Sequence, residues 1–307
     1  MNRSLRSTCA ALAALALAFH VAHAAPAAPR TVALVGGTVH PVSGPELAHA
    51  TVLVKGDRIA AVGADVAVPS DATVIDCTGK HVYPGLVAAN TQIGLIEIST
   101  IEGSNDTRET GNVNPDIRAE VMLNPDSDFL PVARIQGITS AQIVPGGGAI
   151  HGTSAVVHLD GWTPEDMTLR APVGLHVDWP DMAPVRGPAN RSTDEEQDKR
   201  REEAIAAIRT AFENARAYET ARTAEGRPGV PSHDQDARWD AMRAVIRGQV
   251  PVWFHAQTLA QLRAVLRFID EQHLSHCVIV GGRDAVLVAD ELKARDIAVV
   301  VAGTLAL

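Results

Sequence analysis

The chain has 307 residues, 46% of them apolar and 21% charged, with a formal net charge of −9. That length holds one large or two ordinary domains, and the apolar share supports a substantial core and argues against global disorder. An acidic surface with no basic stripe argues against nucleic acid and anionic membranes as partners.

Residues 1–24 read as an export signal: Arg3 and Arg6 form a positive start, Ala10 to Ala18 an apolar run, and Ala22-His23-Ala24 a small-x-small cleavage site. The apolar run is shorter than the ~20 residues of a membrane span. The expectation is an exported protein, periplasmic or secreted, with no membrane insertion once the signal is removed. Removal takes away Arg3 and Arg6 and no acid, so the charge of −9 less two positive charges becomes −11. Cys77 and Cys277 then remain, each in an apolar, strand-like context, which predicts two separately buried thiols rather than a disulfide. No Cys-x-x-Cys offers a structural zinc site.

Over residues 31–83 the signals are all of short strands. Thr31–Val35, Thr38-Val39, Thr51–Val54, Arg58–Val62 and Val74–Asp76 are β-branched runs separated by Gly, Asp and Pro, with Lys55-Gly56-Asp57 as a tight turn. They predict a small antiparallel β unit. After Pro84, apolar strands alternate with loops and helices. Gly137–Val144, Ser154–Leu159 and Pro172–Val177 are strand candidates. A helix is predicted over Thr193–Thr223, with Thr193 as cap and Ile205, Ile208 and Phe212 recurring at helical spacing. Asp236–Gly248 is a second. Val250–Phe254, Cys277–Val280 and Ile297–Val301 then read as strands, separated by helices over Leu259–Gln272 and Ala285–Arg295. Such alternation with short links implies parallel pairing and right-handed crossovers. An open doubly wound sheet and a closed barrel both satisfy it.

The stretch His81-Val82-Tyr83-Pro84-Gly85-Leu86-Val87-Ala88-Ala89-Asn90-Thr91-Gln92 bears on that choice. It resembles the string Pro-Gly-apolar-apolar-Asp-x-His-x-His that forms the first barrel strand of the amidohydrolase superfamily. The preceding Asp76-Cys77-Thr78-Gly79-Lys80 matches the pattern leading into that strand, and Phe254-His255-Ala256 resembles the fifth-strand Val-His-Ala. The resemblance, to the imidazolonepropionase-like branch, covers Val35 to Val301. It implies a (β/α)8 TIM-type barrel over residues 84–307, preceded by a small antiparallel β-sandwich segment over 31–83. About seven barrel strands can be counted where such a barrel has eight. The expectation is therefore an incomplete barrel, its C-terminal part missing.

The same resemblance implies hydrolysis of a non-peptide C–N bond, of the cyclic amide or imide type, by water activated on a divalent metal such as zinc. The family's ligands are two strand-one histidines, a strand-four lysine or glutamate, histidines from strands five and six, and a strand-eight aspartate. Here Asn90 and Gln92 stand in place of the strand-one pair, and Val280-Gly281-Gly282 occupies the strand-six position. The expected metal site is thus degenerate. His255 is its metal candidate, and His176 and Asp178, two apart on a strand, are a further pair of ligand types. Asn90 and Gln92, which alternation would place on one face, are candidate substrate contacts, as are His151 on a strand-end loop and Arg118 on the long polar loop from Glu97 to Asp128. That loop follows strand one and would overhang the active-site face.

Other motifs carry less. His233-Asp234-x-Asp236 reads as a helix cap. Gly146-Gly147-Gly148 lacks the Lys-Ser/Thr of a phosphate loop, and Gly152-Thr153-Ser154-Ala155 lacks the second glycine of a nucleophile elbow. Three functions stay open on the residues: a metal-dependent hydrolase, a catalytically inactive barrel that binds a small ligand, and an open-sheet binding protein. The partner expected in each is a small molecule, and a homo-oligomer is compatible with all three.

Overall fold

The computed structural model describes residues 30–187 and 192–302. The expected export signal lies outside the described residues. Two compact units divide between Pro84 and Gly85.

The first unit contains β1 (Thr31–Val39), β2 (Leu47–Lys55), β3 (Arg58–Gly63), β4 (Thr73–Asp76) and β5 (His81–Val82). They form one sheet in the order β3-β2-β1-β4, with β5 also on β1. β1, β2 and β3 are antiparallel neighbours, whereas β4 and β5 run parallel to β1. The expected antiparallel sandwich is therefore a single mixed sheet among the described residues. The hairpin turn at Lys55–Arg58 enforces antiparallel pairing, but the longer links before β4 and β5 bring the chain back in the direction of β1. The two short strands expected over residues 31–39 are one, because Gly36, at φ +78°, lets β1 continue through an irregularity in its pairing with β2. Val39, Ala50 and Val52 form its small core.

The second unit runs β6 (Leu86–Thr91), α1 (Phe129–Ile135), β7 (Ile138–Ile143), β8 (Ile150–His158), α2 (Pro164–Met167) and β9 (Thr168–Asp178). There follow α3 (Asp194–Ala224), α4 (Ala237–Ile246), β10 (Val252–Ala256), α5 (Leu259–Glu271), β11 (Cys277–Gly281), α6 (Ala289–Ala294) and β12 (Ala298–Val301). Seven strands form one barrel-type sheet in sequence order from β6 to β12. β9, β10, β11 and β12 are parallel, as the alternating pattern predicts. β8 is antiparallel to both β7 and β9, which corrects the expectation of a uniformly parallel barrel. The reason is local: the short link over residues 144–149 can only fold β8 back on β7, and the sheet is mixed.

Thr193 caps α3 through a capping box with Glu196, and Thr258 caps α5 the same way with Gln261. The helix expected over Ala285–Arg295 is instead a 3-10 turn, Ala285–Val288, leading into the shorter α6. The main core lies between β9–β11 and the helices. Phe212 of α3, Phe254 of β10 and Phe268 of α5 are fully buried there, with Phe268 edge-to-face against both others at 5.4 and 6.0 Å. This anchors β9 and β10 rigidly, so side chains on their opposite face have fixed positions. Cys77 and Cys277 are buried free thiols, and burial pushes Cys277 up to about 12. No helix among the described residues is long and apolar enough to cross a membrane.

Candidate metal centre

Two adjacent parallel strands set the frame of the site. On β9 and β10, His176 pairs with Trp253 and Asp178 with His255. Strand period two then puts His176, Asp178, Trp253 and His255 on one face. β8 contributes a third element from the other side of β9. There Ile150 pairs with Val177 and Gly152 with His176, so β8 holds one extra residue, His151. A bulge of this kind re-aims a side chain out of the normal alternation. Gly152 makes the bulge feasible: its φ is +110°, and a Cβ there would lie 2.4 Å from the Ile117 carbonyl oxygen. That carbonyl accepts a hydrogen bond from Thr153 N–H at 2.8 Å.

The bulge turns His151 toward β9 and β10. His151, Asp178 and His255 each offer a donor atom, and these lie within 4.8 Å of one another. His151 Nε2 is 3.0 Å from Asp178 Oδ2, and His255 Nδ1 is 3.9 Å from Asp178 Oδ1. His151 Nδ1 lies 3.2 Å from the Pro145 carbonyl oxygen, which fixes the ring from behind. His255 Nε2 lies 2.9 Å from His176 Nδ1. His151 and His176 are buried, whereas the Asp178 side chain is 52% exposed and opens the cluster to solvent.

The electrostatics keep the donors in a ligating state. Burial pushes His255 down to about 4, against the pull of Asp178. Burial also holds His176 well below the ordinary imidazole range, with His255 and His151 adding to the effect. Burial opposes ionisation of Asp178, but the adjoining His151 and His255 overcome it and hold the carboxyl below its usual range. A neutral imidazole at His255 and a carboxylate at Asp178 are the protonation states that metal ligands require.

The donor set also fits a cation by what it lacks. His151 Nε2 is buried and, although close to Asp178, has no aligned hydrogen-bond partner. A buried polar atom left this way is uncommon and calls for a partner. Two histidines and one carboxylate with an exposed side match the three-ligand, open-position pattern of catalytic divalent sites.

Known proteins share both sequence and fold with this chain. No protein-family profile matches it. It is 24% identical over 232 residues to the amidohydrolase tasK of Hapsidospora irregularis, across 66% of this chain and 22% of that protein. The chain thus spans about a fifth of that relative's length. Its fold superposes on the crystal structure of an amidohydrolase from Thermotoga maritima MSB8 with a TM-score of 0.77 at 25% identity, covering 90% of this chain and 70% of that one. The chain is related to the amidohydrolases.

In this chain the polar pair at the end of β6 does not share a face. Pairing with β7 jumps between Ala88 and Thr91, and Asn90 sits at φ +53°, a conformation asparagine tolerates better than most residues. Its backbone N–H donates to Gln142 Oε1 at 3.3 Å, and Gln142 in turn donates to Ser154 Oγ at 3.1 Å. Gln92 lies beyond the strand and is exposed, its amide nitrogen against Gly146. Arg118 pairs with Glu120 at 2.9 Å. The long loop that carries it is hydrogen-bonded along β8 rather than free: Asn114 N–H donates to the Ile150 carbonyl and Ala149 N–H to the Asn112 carbonyl. Of the residues singled out from sequence, the structure brings together His151, Asp178 and His255, with His176 behind. Sequence reading grouped His151 with substrate contacts because a bulge shows only as a glycine beside it.

Proposed function

We propose that this chain carries the metal-centred portion of an amidohydrolase that opens a non-peptide C–N bond, of the cyclic amide or imide type, in a small molecule. His151, Asp178 and His255 hold one divalent cation such as zinc. The observation that carries this reading is their convergence around a buried His151 nitrogen with no aligned partner. The likeness of residues 81–92 and 254–256 to the imidazolonepropionase-like branch supports the bond type, and the export-signal pattern of residues 1–24 supports a periplasmic or secreted location.

A divalent cation in such a site supplies Lewis acidity and lowers the pKa of water toward neutrality. His151 and His255 offer ring nitrogens as ligands. Asp178, ionised, would be a ligand through the oxygens turned to His151 and His255, and the proton of the attacking water passes by way of solvent on the open side of the site to the leaving nitrogen as the C–N bond breaks. The hydroxyl of that water ends on the acyl carbon and its proton on the released amine, so the reaction balances without another reactant. Asn90 and Gln92 take no part as ligands in this scheme, which makes the site mononuclear.

The test is direct. The purified chain is stripped with chelator, titrated with zinc and manganese, and assayed on five- and six-membered cyclic amides and imides. About one equivalent of metal per chain and metal-dependent ring opening are expected. Metal binding without turnover would replace the hydrolase with a ligand-binding barrel, and no metal binding would remove the site itself.

A further inference from the structure

His176 is fully buried, lies behind the cluster and contributes no donor atom to it. An imidazole in such a place is either packing or part of the device. His255 distinguishes the two. Its ring has two nitrogens, Nε2 at 2.9 Å from His176 Nδ1 and Nδ1 at 3.9 Å from Asp178 Oδ1. For Nδ1 to offer a lone pair, the ring's single proton must sit on Nε2, and that proton then needs an acceptor. His176 Nδ1 is the group that stands there.

We propose that His176 is a positioning residue for the metal centre, accepting a hydrogen bond from His255 Nε2 and so keeping the lone pair of His255 Nδ1 directed at Asp178 and His151. This rests on the metal reading given above.

The surroundings of His176 fit that role. Its ring stacks on Trp253, with centroids 5.5 Å apart and planes at 30°. Trp253 in turn packs against Gly174, where a Cβ would come within 2.1 Å of the indole. The absent side chain at position 174 thus makes room for Trp253, and Trp253 fixes the plane of His176.

Two variants separate acceptor from filler. His176→Asn places an amide oxygen close to where Nδ1 stands, and His176→Phe keeps an aromatic ring on Trp253 without an acceptor. Zinc affinity is read by calorimetry on the full chain, and the tautomer of His255 by 15N NMR of the metal-free protein. Changes of this kind behind a ligand lower metal affinity 10–100-fold. His176→Phe is expected to fall in that range, and His176→Asn to stay within about threefold of wild type by the same reasoning. The Nε2–H form of His255 should dominate in wild type and the Asn variant and lose its dominance in the Phe variant. Wild-type zinc affinity in the Phe variant, or equal loss in both variants, would overturn the proposal. If the wild-type chain binds no zinc, the metal reading fails separately, and the NMR comparison still decides whether His176 sets the tautomer.

Discussion

Asp178 and His255 stand opposite each other on neighbouring parallel strands, with Asp178 Oδ1 3.9 Å from His255 Nδ1. That separation is too long for a hydrogen bond. A carboxylate and a neutral imidazole held apart in this way leave space for an atom between them. The pairing register that holds them is enforced by the buried aromatic packing on the far side of β9 and β10.

Asp178→Asn removes the carboxylate charge from the ligand set while keeping its shape. Zinc affinity should fall by more than about 100-fold, beyond the range of changes behind a ligand. The side chain is half exposed, so the thermal midpoint of the metal-free protein should move by only a few degrees. Calorimetry and thermal melts check the two together, and undiminished affinity would exclude Asp178 as a ligand.

Acid should weaken the metal-free fold through its buried imidazoles. His255 is pushed from 6.5 to about 4, so between those values the unfolded chain binds more protons than the folded one. Its contribution is fully present above pH ~6.5 and is lost as pH falls toward ~4, by roughly 3 kcal/mol for a shift of this size. Urea denaturation at pH 7.5 and 4.5 should show this loss in wild type and a smaller one in His255→Phe. Equal losses would place the titration elsewhere.

Gly152→Ala tests the bulge. With φ at +110° and a Cβ 2.4 Å from the Ile117 carbonyl oxygen, either the strand or the loop must shift. Backbone strain of this kind amounts to about 1–3 kcal/mol. Stability should drop by that amount, and zinc affinity should drop with it because His151 depends on the bulge for its direction. A variant that melts like wild type would show that the loop yields freely.

Gln142→Leu probes the polar ladder between β6, β7 and β8. The substitution keeps volume but leaves the Asn90 N–H without its acceptor and Ser154 without its donor, in surroundings where Gln142 is buried. An unfolding free energy lower by about 1–3 kcal/mol is expected. A neutral result in denaturant titrations would mean that water replaces both bonds.

Much of the fold is legible in the chain because its signals are local. Thr193 and Glu196 announce the start of α3, and the β10-α5-β11 alternation follows from apolar periodicity and short links. The direction of β8 could also have been read, since a six-residue link rich in glycine can only make a hairpin. The kink at Asn90 could not: it goes with a hydrogen bond from the Asn90 N–H to Gln142 Oε1, 52 residues away.

The sequence by itself determined the strands, the helices and the residue types available for chemistry, including His176 and Asp178 on one strand and His255 on another. Each of those follows from propensity and periodicity within a few residues. Only the tertiary structure decided that His151 joins Asp178 and His255 while His176 stands behind them. That outcome depends on cross-strand register and on one extra residue in β8, and register is a property of pairs of strands that no single segment encodes.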